Sequence, residues 1–257
     1  MGARLQLFRF IQIFMPNIPP QFERTHILIG QAGIATLAGR HVYVAGLGGV
    51  GSYCAEALAR AGIGRLTLVD HDVVGISNIN RQLPALLSTV GQPKVEVIAA
   101  RIRDINPDCN LTLRREFLTA DNMDAQLPEQ CDYVIDAIDA LSSKTALVGK
   151  SIQRGLAVAS SMGAGNRLNP GRIKIADISA TEMCPLARQM RKRLLRHYGI
   201  RKGVLTVFSD EQPSAPLPPE PVDGPGRPRA VNGTISYMPP IFGLMLAGAV
   251  IQRLLQD

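Results

Sequence analysis

The sequence predicts an α/β protein with a Rossmann-like, doubly wound and mainly parallel sheet, followed by a smaller C-terminal α/β extension. Three observations predict this class. Short apolar runs that suit buried parallel strands alternate with segments rich in helix formers. A glycine-rich turn joins the first of these strands to the first of these helices. An acidic residue ends the next strand, on the sheet edge where such folds bind ligands.

The first strand–turn–helix unit begins at residues 41–45, a β-branched and aromatic run. The pattern GxGGxG over residues 46–51 comes next, and the residues after it favour a helix that Gly62 and Gly64 can close. Residues 65–70 are the second predicted strand. Glycines let a backbone approach phosphate, and a helix N-terminus adds a partial positive charge. This order of elements is therefore typical of a nucleotide-binding turn.

Later segments continue the alternation of strands and helices. Pro93 begins a predicted helix whose apolar positions recur every three or four residues, and it ends near Asn106. Further strands are predicted over residues 111–117, 133–139 and 156–160. Such an alternation predicts a parallel sheet with helices on both faces.

The C-terminal part has a different pattern. Residues 172–178 alternate as a strand, residues 185–198 form a predicted basic helix, and residues 209–233 contain seven prolines and three glycines, which predicts a mobile loop. The apolar run at residues 241–251 is shorter than the ~20 residues that span a bilayer. We predict a buried helix there, and the sequence alone leaves membrane contact open.

These patterns divide the chain into three predicted parts. Residues 1–20 are an N-terminal extension and a candidate for disorder, and translation from Met15 would remove most of it. Residues 21–165 are the predicted nucleotide-binding domain, and residues 166–257 the predicted substrate-binding part.

Composition limits the possible functions of the 257 residues. A hydrophobic content of 46% supports a sizeable core, and the net charge of +7 favours a polyanionic partner. The four cysteines are scattered and form no CxxC pair, which argues against a zinc site and against a disulfide framework.

Charged residues beyond the glycine turn indicate which phosphates the site binds. Asp70 lies nineteen residues after Gly51, where a carboxylate can accept both ribose hydroxyls. Arg81 comes eleven residues later, and Lys94 thirteen residues after that. An NAD enzyme has little use for two further fixed cations. An enzyme that cleaves ATP between its α- and β-phosphates needs them to neutralise the departing pyrophosphate. The sequence therefore predicts an ATP-dependent adenylating enzyme.

Together these motifs resemble those of the ubiquitin-activating-enzyme-like superfamily, which includes the ThiF, MoeB and HesA adenylating enzymes. The resemblance runs from about residue 22 to residue 255. It rests on GxGGxG, the strand-end Asp70, SNINRQ at residues 77–82, GQPK at 91–94 and DAID at 136–139. Within the superfamily, the segments FERT (22–25), GAG (163–165), CPLA (184–187) and VFS (207–209) resemble the branch that modifies threonylcarbamoyladenosine in tRNA.

The resemblance implies a set of nucleotide-binding residues that would hold ATP. Asp70 would hold the ribose, Asn78 and Arg81 would grip the triphosphate, and Lys94 would neutralise charge as the α-phosphate is attacked. The full implied set is Gly46, Gly48, Gly49, Gly51, Asp70, Asn78, Arg81 and Lys94.

The resemblance also implies four catalytic residues, namely Arg81, Lys94, Asp139 and Arg24. Asp139 would bind Mg²⁺, and Arg24 would reach the partner protomer's site, which implies an obligate homodimer. Asp136 has the simpler expected role of accepting hydrogen bonds from loop N–H groups.

The implied substrate is tRNA that already carries threonylcarbamoyladenosine. ATP would adenylate the threonine carboxylate, and the carbamoyl group of the same side chain would then expel AMP and close a ring. Because that nucleophile is tethered, no protein nucleophile is required. We therefore expect Cys184 to be a small apolar residue rather than a nucleophile. The resemblance also implies a cytoplasmic location.

The predicted basic helix offers independent support for a tRNA partner. No acidic residue lies between Arg188 and Lys202 to pair with its cations, which favours contact with a phosphate backbone. The predicted tRNA-binding residues are Arg188, Arg191, Lys192, Arg193 and Arg196.

Three other functions compete with this prediction. An NAD-dependent oxidoreductase would use the glycine turn but leave Arg81 and Lys94 without a role. Activation of a ubiquitin-like sulfur-carrier protein would involve a sulfur-transfer or helper protein as partner. A non-enzymatic scaffold would not need the intact set of charged site residues.

Overall fold

A computed structural model describes residues 18–220 and 229–256 of the chain. Its helices are α1 (Glu23–Gly39), α2 (Gly51–Ala61), α3 (Lys94–Ile105), α4 (Met123–Gln126), α5 (Leu141–Gln153), α6 (Pro185–Tyr198) and α7 (Met238–Leu254). Its strands are β1 (His41–Ala45), β2 (Arg65–Val69), β3 (Asn110–Arg114), β4 (Tyr133–Asp136), β5 (Val158–Ser161), β6 (Ile173–Asp177), β7 (Leu205–Ser209), β8 (Leu217–Glu220) and β9 (Arg229–Val231).

Seven strands form one sheet in the order β3-β2-β1-β4-β5-β7-β6. All neighbours are parallel except β6, which runs antiparallel to β7. The strand order reverses between β1 and β4, whose residues Ala45 and Asp136 are paired at the carboxyl ends. A reversal of this kind opens a crevice above those strand ends.

Helices cover both faces of the sheet, as the predicted doubly wound class requires. On one face, Leu58 of α2, Ile98 of α3 and Phe242 of α7 are fully buried in one apolar cluster. On the other face, Leu147 of α5 and Met190 of α6 are fully buried. Because helices cover both faces, the central strands are buried almost throughout instead of alternating between buried and exposed residues.

Local sequence explains where several elements begin and end. Pro93 lies immediately before α3, because it has no N–H to donate and its φ suits the entry to a helix. Gly62 ends α2 in the left-handed conformation, with φ of 97°. Gly30 breaks α1 with φ of 68°, so this helix has two segments joined by a kink.

The sequence-predicted elements differ from the structure mainly at their ends. The third strand ends at Arg114 rather than at residue 117, and the fourth at Asp136 rather than at residue 139. In both cases the chain leaves the sheet to border the cleft. Strand β7 is an element that the sequence patterns did not predict, although it contains the VFS motif.

The C-terminal part of the chain continues the same sheet. Strands β6 and β7 extend it beyond residue 165, and α7 returns to pack against α2. A Cβ on Gly243 of α7 would lie 2.2 Å from the carbonyl oxygen of Val50, so the two backbones are in close contact. The predicted loop at residues 209–233 contains the short antiparallel ribbon β8–β9. The prediction of a loop without strands was wrong, because prolines are tolerated at a ribbon edge.

Two predictions fall partly or wholly outside the described residues. Residues 1–17 lie there, and with them the candidate start at Met15. Residue 257 and the middle of the proline-rich segment, residues 221–228, lie there too. None of the described helices combines the length and the apolar character needed to cross a bilayer.

Gly51 should be essential for stability, because a Cβ at this position would lie 1.7 Å from the carbonyl oxygen of Gly46. Gly51→Ala should lower the free energy of unfolding by about 2–3 kcal/mol through overpacking. Gly248→Ala is the matched control, because a Cβ there meets no atom within 4 Å and alanine favours a helix. Urea unfolding followed by circular dichroism measures both, and equal midpoints would contradict the packing argument.

Candidate active site

A cleft of about 700 Å³ opens above the carboxyl ends of β1, β2, β4 and β5. Its position is a consequence of the reversal of strand order between β1 and β4. Seven of the sequence-predicted residues line it, namely Gly46, Gly48, Gly49, Asp70, Arg81, Lys94 and Asp139. Gly51, Asn78 and Arg24 do not line it.

The glycine turn lies against neighbouring backbone on several sides. Gly46 has φ of 88°, and a Cβ there would lie 2.7 Å from the carbonyl oxygen of Ala137. A Cβ on Gly49 would lie 2.8 Å from Pro239 of α7. Gly48 is more open, and the amide side chain of Gln82 is the nearest group to a Cβ there. Gly51 does not line the cleft and packs against the backbone of Gly46, and its expected phosphate contact stays a prediction.

Asp70 connects the end of β2 to this turn. Its Oδ2 accepts a hydrogen bond from the N–H of Leu47 at 2.6 Å, and its Oδ1 accepts one from the N–H of Asp72 at 2.8 Å. The carboxylate is nearly buried, so these donors hold it in one orientation. Each oxygen retains a lone pair that a ribose hydroxyl could use.

Lys94 is buried at the first residue of α3. A cation there opposes the helix dipole, and Asp72 compensates it, because Lys94 Nζ lies 2.7 Å from Asp72 Oδ2. The ammonium keeps further N–H donors for a ligand in the cleft. The sequence patterns identified Lys94 but missed Asp72. Asp72 lies two residues after the strand-end Asp70, and this position could have identified it.

Arg81 is held by the loop that carries it. Its Nη1 donates to the carbonyl oxygen of Ser77 at 3.0 Å and to Asn80 Oδ1 at 2.8 Å. Asn78 Oδ1 accepts from the N–H of Gly75 at 3.1 Å, and its carbonyl oxygen accepts from the N–H of Arg81. Asn78 therefore shapes this loop, and its expected contact with the triphosphate stays a prediction.

A buried ion pair supports the loop that carries Asp139. Asp136 and Lys144 are both fully buried, and Lys144 Nζ lies 2.8 Å from Asp136 Oδ2. That oxygen also accepts a hydrogen bond from Ser160 Oγ at 2.5 Å. The backbone of Ile138 is fixed on both sides, because its N–H donates to Asp136 Oδ1 and its carbonyl oxygen accepts from Lys144 Nζ. Burial holds the pKa of Asp136 above its usual value, against the opposing effect of Lys144 and the hydrogen-bond donors.

The donor chemistry beside this loop suits a magnesium ion. Asp139 is exposed at the cleft and has no hydrogen-bond partner among the described residues. Ligand atoms of Asp70, His71 and Asp72 lie within 4.8 Å of one another on the opposite wall. Carboxylate oxygens are the protein ligands that Mg²⁺ prefers.

The basic helix α6 begins at the cleft and extends away from it. Cys184 and Leu186 line the cleft, whereas Arg188, Lys192 and Arg196 are exposed at four-residue intervals and so share one face. The two remaining predicted cations, Arg191 and Arg193, make contacts within the chain and are not part of this exposed row.

Arg191 and Arg193 make contacts inside the protein. Arg191 Nη1 donates to the carbonyl oxygen of Thr181 at 2.9 Å and also to the Thr181 hydroxyl. Arg193 Nη1 donates to Ser142 Oγ at 3.0 Å. The charge pattern alone could not reveal these contacts, because their partners are distant in sequence.

None of the three cysteines with a shifted pKa has an activated thiol. Burial raises the pKa of Cys109 to about 11 and that of Cys131 to about 12, and it raises the pKa of Cys54 as well. Cys184 is buried at the start of α6, where its side chain makes no capping hydrogen bond.

Comparison with known proteins agrees with this geometry. The profile of the ThiF family matches residues 22–257. The chain belongs to the ThiF family. The tRNA threonylcarbamoyladenosine dehydratase of Bacillus subtilis (strain 168) is 44% identical over 243 residues, which cover 92% of this chain and 95% of the relative. The dehydratase of Escherichia coli (strain K12) is 42% identical over 197 residues, which cover 74% of each chain.

Solved structures of the ThiF family extend the similarity to the fold. The crystal structure of E. coli tRNA N6-threonylcarbamoyladenosine dehydratase in complex with ATP matches with a TM-score of 0.83 and 36% identity, covering 92% of this chain and 94% of that chain. Molybdopterin-synthase adenylyltransferase of E. coli is 37% identical over 115 residues, which cover only 45% of this chain. The dehydratases therefore resemble this chain over a much greater length than the sulfur-carrier enzyme does.

The sequence patterns missed two further groups that line the cleft, in addition to Asp72. Phe117 lies just beyond the end of β3 and is 52% exposed, with its ring edge-on to His71 at 4.6 Å between centroids. An aromatic residue just beyond a strand end was the available signal. The second missed group is Arg167, which gave no such signal, because it comes after a short glycine segment that predicted no particular side-chain environment.

Proposed function

We propose that this chain is an ATP-dependent adenylating enzyme that dehydrates threonylcarbamoyladenosine in tRNA. The observation that carries the proposal is the convergence of Arg81 and Lys94 on the cleft that contains the open glycine turn. Dehydratase relatives that align over nearly the whole chain support the same substrate.

The proposed reaction has two steps. An oxygen of the threonine carboxylate attacks the α-phosphorus of ATP, the bond to the bridging oxygen of the β-phosphate breaks, and pyrophosphate leaves. The carbamoyl group then attacks the activated carbonyl carbon, the bond to AMP breaks, and a proton is released as the ring closes. Because the second nucleophile is tethered, close approach and a good leaving group suffice.

The predicted site residues in the cleft have proposed roles in the first step. N–H groups at Gly48 and Gly49 and the charges of Arg81 and Lys94 stabilise negative charge on the phosphates. Asp70, fixed by two backbone N–H groups, orients the ribose. Asp139 would hold Mg²⁺, which supplies charge neutralisation at the phosphates.

We propose that tRNA contacts the exposed face of α6. Arg188, Lys192 and Arg196 span about 12 Å along the helix, at 1.5 Å per residue. The helix starts at the cleft wall, so a phosphate backbone on this face would lie beside the site where the modified base reacts. In this arrangement residues 21–165 supply the nucleotide site and residues 166–257 the substrate surface, in the cytoplasm where tRNA is found.

We also propose that the enzyme is a homodimer with Arg24 acting across the interface. Arg24 is exposed on α1 and does not line the cleft of its own chain. Ile27 and Leu28 beside it are 64% and 85% exposed, and an exposed apolar surface of this kind suits a partner interface.

Arg81→Ala should reduce pyrophosphate release with modified tRNA by about 100-fold or more, because removing one transition-state donor costs about that much. Thermal unfolding should be unchanged, since among the described residues the Arg81 side chain hydrogen-bonds only within its own loop. Arg60→Ala is the matched control, because Arg60 forms an exposed ion pair with Glu56 away from the cleft. Activity of Arg81→Ala at the wild-type level would refute the assigned role.

Reversal of Arg188, Lys192 and Arg196 to Glu should weaken tRNA binding and flatten its dependence on salt, because fewer counterions are released. The control reverses Arg65, Arg103 and Arg253 to Glu, which changes net charge equally at exposed positions elsewhere. Filter binding at several salt concentrations measures both variants. An equal loss in the two would show that net charge, not the α6 face, attracts the RNA.

Mixing two inactive variants tests whether Arg24 acts across the interface. Arg24→Ala and Arg81→Ala should each be inactive alone, whereas coexpression should restore about a quarter of wild-type activity, because half the dimers are mixed and each has one intact site. Light scattering should give twice the 27.7 kDa chain mass. Failure of the mixture to recover would place Arg24 outside the partner's site.

A further inference from the structure

Arg167 is a buried cation in the cleft without an acidic partner. Its side chain is 4% exposed, and it donates from Nε to the carbonyl oxygen of Glu211 and from Nη1 to those of Gly163 and Gly165. Its Nη2 is buried and has no hydrogen-bond partner among the described residues. None of the ion pairs among the described residues involves Arg167. The nearby Glu211 carboxylate instead accepts from backbone N–H groups of the next loop.

An unpaired buried charge destabilises a folded protein, so the lack of a counter-charge at Arg167 among the described residues needs an explanation. The other buried cations near the cleft have partners: Lys94 pairs with Asp72, and Lys144 pairs with Asp136. For Arg167 the described protein offers carbonyl dipoles alone. A bound anion in the cleft would supply the missing charge.

The start of α6 provides a second favourable group at the same place. A Cβ on Gly163 would lie 3.8 Å from both Arg167 Nη1 and Leu186 Cβ, so Gly163 lies between the guanidinium and the first turn of this helix. That turn has no acidic residue, and Cys184 makes no side-chain cap. The 14-residue helix therefore adds its partial positive charge to that of Arg167.

We propose that Arg167 and the first turn of α6 bind the substrate carboxylate that is adenylated. This inference rests on the proposed function and adds an acceptor subsite to it. The phosphates of ATP have their own donors at the glycine turn, Arg81 and Lys94. Arg167 lies beyond β5 and lines the cleft together with Leu186 of α6, so an acid held there would approach the α-phosphate from the side of that helix.

Calorimetry with the nucleoside threonylcarbamoyladenosine, its methyl ester and ATP tests the subsite. Wild type should bind the acid at least tenfold more tightly than the ester, which lacks the charge. Arg167→Met should weaken binding of the acid by about 10- to 100-fold, the range for a charged hydrogen bond, and leave the ester and ATP within about twofold. Arg154→Met is the matched control, because Arg154 also binds backbone carbonyls, at Asp124 and Leu127.

Other results would overturn the subsite. Weaker ATP binding by Arg167→Met would assign the arginine to the triphosphate, and weaker binding of unmodified tRNA would assign it to the RNA backbone. Equal affinity of the wild type for acid and ester would also overturn it. If Arg167→Met unfolds, Arg167→Lys keeps the charge and should still prefer the acid to the ester.

Kinetics separates this inference from the proposed function. No pyrophosphate release by the wild type with modified tRNA would overturn the proposed function. Normal release by the wild type, together with an unaltered KM of Arg167→Met for modified tRNA, would overturn the subsite alone.

Discussion

The buried ion pair between Asp136 and Lys144 is the constraint on which the cleft depends. It joins the end of β4 to the first turn of α5, and Ser160 extends it to β5. The same two charges orient the Ile138 peptide, and with it the chain that presents Asp139. Removing one partner would leave an uncompensated buried charge, which typically costs about 3–5 kcal/mol. The loop between β4 and α5 is thus fixed by charge in a place where the apolar core ends.

The glycine turn depends on that loop through direct backbone contact. The carbonyl oxygen of Ala137 lies where a side chain on Gly46 would be, and Gly51 packs on the carbonyl oxygen of Gly46. The phosphate-facing turn and the carboxylate-bearing loop are therefore one packed unit. Movement of either would change the distance between the groups that we assign to phosphate and to Mg²⁺. Rigid support of this kind suits a site whose main task is electrostatic stabilisation.

Cations around the cleft differ in how they are compensated, and this difference suggests a division of tasks. Lys94 pairs with Asp72, Arg81 binds neutral groups of its own loop, and Arg167 binds carbonyl oxygens and keeps one nitrogen without a partner. Among the described residues, the exposed cations of α6 form no ion pair and no side-chain hydrogen bond. Charge that is buried and fixed suits a small anion in one position, whereas exposed charge suits a long flexible polyanion.

The sequence by itself determined the alternating fold and the glycine turn, because local spacing decides which side chains stand just beyond each strand end. Together with the family resemblance it identified seven of the residues that line the cleft. It also identified Asp136 as an acceptor for a loop N–H, which the Ile138 contact confirms. The tertiary structure decided the rest. It left Gly51 and Asn78 outside the cleft lining, engaged Arg191 and Arg193 in contacts within the chain, and placed Arg167 in the cleft beyond β5. The physical reason is that burial and pairing depend on partners far away in sequence, which periodicity and spacing do not encode.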